Sequence, residues 1–267
     1  MPFDGLRVLS LESRRSAEIE KLIRAQGGEP FVAPSMREVP IEQNTEAFDF
    51  AERLFHGEFD MMILLTGVGT RLLGQAIATR WPDGAFAEAL RKLTVVARGS
   101  KPIAVLREWN VPVAIAVPEP NTWREILAAI DGRPEKHIAV QEYGRTNFEL
   151  IDGLHARGAE VTPVRVYQWE LPEDTQPLRE AAERLTRGEF DVVLFTTSVQ
   201  VTHLFEVGGE AIAEALRRIV IASVGPTTTE TLAEFGLQPD LEPSHPKMGF
   251  LVNETAARAR EILRTKR

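Results

Sequence analysis

Cysteine is absent from this chain of 267 residues. Its absence excludes disulfide bridges, thiol nucleophiles, iron–sulfur clusters and cysteine-rich zinc sites. The five histidines, at positions 56, 137, 155, 203 and 245, fall in no metal-ligand spacing, so no metal site is predicted. No Gly-x-Ser-x-Gly nucleophile elbow is present either, and the pattern is not that of a hydrolase.

Positive charge is in deficit, since 31 Lys and Arg face 39 Asp and Glu and leave a net charge of −8. This balance argues against nucleic acid or an anionic membrane as the main partner. No apolar run approaches the roughly 20 residues of a membrane span. The start, Met1–Gly5, shows no signal-peptide features. We therefore expect a soluble, cytoplasmic protein, and a monomer.

An internal repeat organises the sequence. Residues 51–60 and 182–191 are identical at eight of ten positions, at an offset of 182 − 51 = 131. Farther along, Pro120 aligns with Pro246 at an offset of 126, so the second copy has lost a few loop residues. We interpret the chain as two copies of one unit.

Short apolar runs alternate with helix-period segments in each copy. The predicted strands are 6–9, 30–33, 61–65, 94–97, 113–117, 137–140, 160–164, 192–196, 220–223 and, weakly, 239–241, with helices such as 16–25, 46–55 and 147–156. Strands spaced by such helices predict an α/β fold with two similar parallel-sheet domains from an internal duplication. Ligands bind such sheets beyond the carboxyl ends of the strands.

Two proline-punctuated stretches, 34–40 and 164–172, read as extended connectors rather than core. The simplest division would cut the chain near 131–134. The paired connectors favour a different division, in which the first strand–helix–strand unit packs with the C-terminal half. Its boundaries are 1–35 plus 172–267 for the first domain, 41–164 for the second, and 36–40 and 165–171 for the linkers.

A Gly-x-Gly sequence in Thr66–Arg71 follows a predicted strand and resembles a dinucleotide fingerprint. Its third glycine is missing, because Leu72 stands in that place, and the matching segment Thr196–Gln200 has no glycine. A nucleotide-dependent oxidoreductase is therefore the least favoured class. Free N–H groups and hydroxyls at a helix start suit a carboxylate, and they are equally consistent with ordinary helix caps.

A sharper motif follows the strand that ends at Ser223. Gly225 allows a tight turn, and Pro226 with the following threonines begins a helix. The matching loop, 97–102, has a lysine and a proline in place of the threonines. Neither loop has the spacing of a phosphate-binding P-loop.

Tyrosine is scarce, and only Tyr143 and Tyr167 are present. Tyr143 lies just past a predicted strand end and Tyr167 lies in the second connector. Packing with a solvated hydroxyl is the ordinary role of such residues. Their placement at the rim of a predicted cleft gives a functional role comparable support.

Several signatures recur in a characteristic order and spacing. They are Val166–Gln168, Val224–Thr228 with Leu232 and Gly236, Phe195–Ser198, Val117–Thr122, Leu65–Gly69 and Ala97–Lys101. Together they resemble the uroporphyrinogen-III synthase family, in one of its bacterial branches, across essentially the full length. The resemblance implies two similar α/β domains, joined by a two-stranded ladder with a cleft between them.

The resemblance also implies a reaction. The linear tetrapyrrole hydroxymethylbilane loses water, closes and has its ring D inverted to give uroporphyrinogen III, on the route to heme, siroheme and cobalamin. Departure of hydroxide gives an azafulvene, ring D attacks to form a spiro intermediate, and fragmentation and reclosure follow. No cofactor or metal is needed in this scheme.

By the family's pattern, Tyr167 is the catalytic residue and donates a hydrogen bond to the leaving hydroxyl. The substrate carries eight carboxylates, so its site must favour anions locally. The expected substrate-binding residues are Arg14, Thr66, Gly67, Arg98, Ser100, Lys101, Tyr143, Arg145, Thr197, Ser198, Gly225, Thr227 and Thr228. Many family members have a small or hydroxyl residue where this chain has Lys101 and Pro102, and Ser100 is the expected substitute.

A non-catalytic two-domain protein that binds a small anionic ligand is the main alternative. It fits the duplicated domains and two connectors. It gives no reason for the Tyr167 motif or the Gly-Pro-Thr-Thr loop. A degenerate synthase kept as a regulatory domain is a further alternative.

Overall fold

The computed structural model describes residues 2–40, 45–142, 144 and 146–266. The chain divides into two compact units, unit 1 with residues 1–37 and 170–267 and unit 2 with residues 38–169. No helix in the described ranges is long and apolar enough to cross a membrane. The predicted class, α/β with parallel sheets, is confirmed.

Unit 1 holds a four-stranded parallel sheet made of β1 (Arg7–Ser10), β2 (Glu29–Val32), β10 (Val192–Phe195) and β11 (Val220–Ser223). Their order across the sheet is β11-β10-β1-β2. The helices are α1 (Ser16–Ala25), α8 (Gln176–Thr186), α9 (Ser198–Gly208), α10 (Ala211–Arg217), α11 (Pro226–Glu234) and α12 (Met248–Lys266). Both central strands, β10 and β1, have helices on each face, and β10 is buried throughout.

Unit 2 holds a five-stranded parallel sheet made of β4 (Met61–Leu64), β5 (Thr94–Ala97), β6 (Ile115–Ala116), β7 (His137–Gln141) and β8 (Glu160–Val164). Their order across the sheet is β6-β5-β4-β7-β8. The helices are α2 (Thr45–Phe55), α3 (Gly67–Ala78), α4 (Ala85–Leu90), α5 (Ser100–Glu108), α6 (Trp123–Ala129) and α7 (Phe148–His155). A separate two-stranded sheet pairs β3 (Arg37–Pro40) with β9 (Tyr167–Glu170).

The cores follow from the alternation of side chains along the strands. In unit 1, Leu9 packs in the cluster that includes α8 to α10, while Val8 packs in the cluster of α1 and α12. In unit 2, Met62 faces α2 to α5, and Met61 faces α6 and α7. Continuous apolar strands are therefore required, because both faces of each sheet are covered.

Equivalent aspartates at the end of the repeated segment anchor the neighbouring strand in each unit. Asp60 Oδ2 accepts from the backbone N–H of His137 at 2.9 Å, and Asp191 Oδ2 accepts from that of Arg7 at 2.9 Å. His137 and Arg7 each begin their strand. Because the two contacts are alike, β7 and β1 can be compared residue by residue, with His137 matched to Arg7.

Three sequence predictions need correction. The strand predicted at 113–117 is reduced to Ile115–Ala116, and the weak strand at 239–241 is only an isolated bridge between Ala222 and Leu241. The second connector is not merely a connector, because Val166 and Tyr167 are buried in the core of unit 2. Their apolar surfaces have more to gain from that core than from water.

Candidate functional site

The described candidate residues lie where parallel strands end, apart from Tyr167, which begins β9. In unit 1 they are Arg14, Thr197, Ser198, Gly225, Thr227 and Thr228, and in unit 2 they are Thr66, Gly67, Arg98, Ser100, Lys101 and Tyr167. Tyr143 and Arg145 lie outside the described residues. Each unit therefore carries its own group of candidates at the carboxyl edge of its sheet.

Tyr167 is buried, with only 1% of its surface exposed. Its ring packs edge-to-face against Trp169, with centroids 5.6 Å apart and an interplanar angle of 81°. Its hydroxyl oxygen lies 3.2 Å from Thr66 Oγ1, within hydrogen-bond distance, and either oxygen can be the donor. The structure thus brings together two residues that lie 101 positions apart in the sequence.

Thr66 connects this phenol to the start of a helix. It is the N-cap of α3, and its Oγ1 accepts from the backbone N–H of Gly69 at 3.0 Å. Its own backbone N–H donates to Gln141 Oε1 at 3.2 Å. The capping interpretation of this loop is therefore correct, and the same hydroxyl also contacts the tyrosine.

The two glycines of the Gly-x-Gly sequence are explained by close packing. A Cβ on Gly67 would lie 2.8 Å from the backbone oxygen of Lys101, and a Cβ on Gly69 would lie 2.0 Å from Gln141 Nε2. Neither position has room for a side chain. The protein's own atoms, rather than a dinucleotide, account for both glycines.

The loop after β5 carries three candidates. Gly99 adopts φ +80°, a conformation that favours glycine, and α5 begins at the exposed Ser100 and Lys101. Arg98 is half-buried, and its Nε donates to the backbone oxygen of Asn121. This contact holds the arginine beside the carboxyl end of β5, where its charge favours anions.

Glu142 follows β7 and is a buried acid that the sequence argument missed. It is 1% exposed, and its Oε2 accepts from Thr146 Oγ1 at 3.0 Å. Its Oε1 has no hydrogen-bond partner within the part of the chain that the structure describes. Burial raises the pKa of this carboxyl, opposed by the Thr146 hydrogen bond and the charge of Arg165.

A glutamate at the comparable position of unit 1 is fully engaged. Glu12 lies five residues after Arg7, as Glu142 lies five after His137. Its Oε1 accepts from the backbone N–H groups of Arg14 and Arg15, both at 3.1 Å, and its Oε2 accepts from Thr196 Oγ1. This carboxylate therefore satisfies N–H groups at the approach to α1.

Gln200, on α9, holds Thr196 in turn. Its Oε1 accepts from the Thr196 backbone N–H and its Nε2 donates to Thr196 Oγ1, both at 2.8 Å. Thr197 is the N-cap residue of α9, but its side chain makes no capping hydrogen bond. Its half-buried hydroxyl differs in this respect from that of Thr66 and is better placed to serve a ligand.

The Gly-Pro-Thr-Thr loop is internally braced. The backbone N–H of Thr228 donates to the Gly225 oxygen at 3.0 Å, and Thr229 Oγ1 donates to Ser223 Oγ at 3.0 Å. Thr228 is buried, whereas Thr227 is half-buried. Of the two candidate threonines, Thr227 is the more accessible to a ligand.

Sequence reasoning missed the glutamines and glutamates of these networks, and also Phe148. This residue opens α7 with 70% of its surface exposed, at the edge where β7 ends. The available signal for Gln141 and Glu142 was a pair of polar residues directly after the apolar run Ile138–Val140. No signal distinguished Phe148 from a core residue of an amphipathic helix.

Comparison with known proteins places these features in a family. The family model described as "Uroporphyrinogen-III synthase HemD" matches residues 17–253. A Methanothermobacter thermautotrophicus protein named "Putative uroporphyrinogen-III synthase" is 32% identical over 231 residues, covering 84% of this chain and 87% of that protein. The uncharacterized Bacillus subtilis protein YjjA is 28% identical over 263 residues, covering 94% and 95%.

A solved structure shows the same architecture. The crystal structure of a mutant uroporphyrinogen III synthase from Thermus thermophilus superposes with a TM-score of 0.75 at 28% identity. The superposition covers 97% of this chain and 100% of that one. The match thus extends over both units.

Proposed function

The chain belongs to the uroporphyrinogen-III synthase family, and we propose that it converts hydroxymethylbilane into uroporphyrinogen III with inversion of ring D. Membership implies a lyase-type enzyme of tetrapyrrole biosynthesis. One observation carries the proposal for this particular chain. The phenol of Tyr167, at the position that the family's pattern assigns to it, is held 3.2 Å from a threonine hydroxyl at a sheet edge.

In the proposed reaction, Tyr167 assists departure of the substrate hydroxyl. Thr66 Oγ1 accepts from the Gly69 N–H and donates its own hydrogen to Tyr167 Oη, which directs the phenolic hydrogen toward the leaving group. The C–O bond breaks with its electron pair on oxygen, and the pyrrole nitrogen supplies electrons to form the azafulvene. Burial of the ring keeps bulk water from competing for that hydrogen.

Ring closure then depends on holding the right conformer. Ring D attacks through its substituted carbon to give the spiro intermediate, which fragments and recloses to the type III isomer, and the proton lost from carbon balances the hydroxide as water. The enzyme's contribution is orientation, because unassisted closure gives the type I isomer.

The substrate's eight carboxylates call for cations and hydrogen-bond donors. We propose Arg14, Arg98, Lys101 and Arg145 as the cations that bind them, together with hydroxyl and backbone groups at strand ends. The remaining proposed contacts are Thr66, Gly67, Ser100, Tyr143, Thr197, Ser198, Gly225, Thr227 and Thr228. The half-buried Thr197 and Thr227 support this assignment most directly in unit 1.

An isomer assay tests the proposal. Hydroxymethylbilane generated in situ is incubated with the purified protein, the products are oxidised, and uroporphyrins I and III are separated by chromatography. We expect the type III fraction to rise with protein concentration. Type I alone, from protein that unfolds cooperatively on heating, would refute synthase activity and favour the binding or regulatory alternative.

A further inference from the structure

Gln141 ends β7 and is wholly buried, with 0% of its surface exposed. Both ends of its side-chain amide are engaged within unit 2. Oε1 accepts from the backbone N–H of Thr66 at 3.2 Å, and Nε2 donates to the backbone oxygen of Glu142. A buried amide with both ends paired has a single orientation available to it.

Gly69 provides the space for this amide. A Cβ at position 69 would lie 2.0 Å from Gln141 Nε2 and 2.5 Å from its Cδ, well inside contact distance. The glycine therefore lets the amide of Gln141 lie directly against the first turn of α3. Gly69 also donates its backbone N–H to Thr66 Oγ1, so Gln141 and Gly69 hold Thr66 from two sides.

We propose that Gln141 is a positioning residue for Tyr167, acting through Thr66. Gln141 holds the backbone of Thr66 in its extended conformation, with φ −142° and ψ 147°. That backbone sets the direction of Oγ1, and Oγ1 lies against the phenolic oxygen. The inference rests on the proposed function for its catalytic consequence, but its geometric part concerns the free protein.

Unit 1 supplies a matched control design. There Gln200 occupies the position equivalent to Gly69, at the repeat offset of 200 − 69 = 131, and the residue comparable to Gln141 is Leu11, directly after β1. Gln200 binds the residue four positions before it, Thr196. A Gln141→Leu/Gly69→Gln double variant would copy this arrangement, and its new amide would bind residue 65 rather than Thr66.

The first measurement is spectroscopic and needs no substrate. In a Tyr143→Phe background Tyr167 is the only tyrosine, since the chain has two, and ¹³C-labelled tyrosine then gives one Cζ signal. We expect Gln141→Met, which keeps side-chain length, to shift or broaden that signal. An unchanged signal in folded Gln141→Met protein would overturn the proposal.

The double variant separates positioning from general packing. We expect it to recover most of the unfolding midpoint lost in Gln141→Met, because the buried amide is again paired, while the Tyr167 signal stays displaced. If the Tyr167 signal of the double variant returned to its native position when the unfolding midpoint recovered, the inference would be overturned. Gln141→Glu keeps an oxygen toward Thr66 and is expected to restore the signal partly.

Kinetics then test the catalytic consequence in the otherwise native chain. We expect kcat for type III formation to fall about tenfold in Gln141→Met and in the double variant, with KM changed less than about threefold. A rise in KM as large as the fall in kcat would contradict the positioning role. A native kcat in the double variant would contradict it as well. A native protein that forms no type III product would refute the proposed function, while a displaced Tyr167 signal would still support the geometry.

Discussion

In each unit a buried glutamine pairs with a backbone N–H in the loop after a central strand, but different elements supply the glutamine. In unit 1, Gln200 reaches down from α9 to Thr196. In unit 2, Gln141 reaches across from β7 to Thr66, and Gly69 stands where Gln200 would be. Both N–H groups lie in the loop after a central strand, but they differ by one position, because at the repeat offset of 131 Thr66 corresponds to Thr197 and not to Thr196.

The difference lies in what each threonine hydroxyl then contacts. Thr196 donates to the carboxylate of Glu12, which also accepts two backbone N–H groups, so this network ends in structural bonds. Thr66 contacts the phenol of Tyr167. The Thr196 network therefore has a structural role within unit 1, whereas Thr66 contacts the residue that we propose as catalytic.

Removal of the phenolic hydroxyl is the strongest test of that contrast. We expect Tyr167→Phe to lower kcat for type III formation about a hundredfold or more, because general acid assistance contributes factors of this size. KM and the free energy of unfolding should change little, because the ring keeps its contact with Trp169. The measurements are the isomer assay and urea denaturation.

Thr66 provides graded controls for this variant. Thr66→Val should lower kcat in the same direction by a smaller factor, and Thr66→Ser, which keeps the hydroxyl, should recover most of it. A native kcat in Tyr167→Phe would show that Tyr167 has only a packing role. The Thr66 network of unit 2 would then be structural, as the Thr196 network of unit 1 is.

The cations give the next largest effect. Neutralising Arg14, Arg98, Lys101 and Arg145 together should raise KM about tenfold or more and leave kcat nearly unchanged, because we propose that these charges bind carboxylates away from the leaving group. The difference should shrink at high salt. Steady-state kinetics at two ionic strengths check both statements.

The matched control neutralises four exposed cations on helix surfaces of unit 1, Lys21, Arg24, Arg179 and Arg218. It changes the net charge by the same amount. An equal rise in KM in both sets would mean that net charge alone attracts the substrate, and an unchanged KM in the first set would contradict the proposed contacts.

Much of this organisation follows from sequence, because each signal involved is local. The parallel sheets follow from apolar four-residue runs, and the Thr66 cap follows from a hydroxyl at a strand-to-helix turn. The Tyr167–Thr66 contact depends on packing between residues far apart in the chain. The hydrophobic periodicity of the sequence does not indicate such a pairing. It also does not indicate that the glutamine lies on a strand in unit 2 and on a helix in unit 1.

The paired glutamates offer a comparison of stability rather than activity. We expect Glu12→Gln to lower the free energy of unfolding at pH 7 by about 1–2 kcal/mol, because charge-assisted bonds to two N–H groups and Thr196 are weakened. Urea denaturation measures it. A stabilising or neutral result would contradict the structural role given to this network.

Glu142→Gln should raise the free energy of unfolding at pH 7, by less than Glu12→Gln lowers it. Burial raises the pKa of Glu142 in the folded protein, so the folded state holds its proton to a higher pH than the unfolded chain does. Stability of the native protein therefore falls as pH rises from the ordinary glutamate range through this raised pKa. A neutral amide avoids that loss.

The variant should therefore match the native protein near pH 4 and exceed its free energy of unfolding at pH 7. Urea denaturation across this pH range measures the difference, with Glu12→Gln as the counterpart whose effect has the reverse sign at neutral pH. A difference that is independent of pH would mean that the pKa of Glu142 is the same in the folded protein and in the unfolded chain. The contrast between a satisfied and an unsatisfied carboxylate would then fail, because Oε1 of Glu142 would have to find a partner.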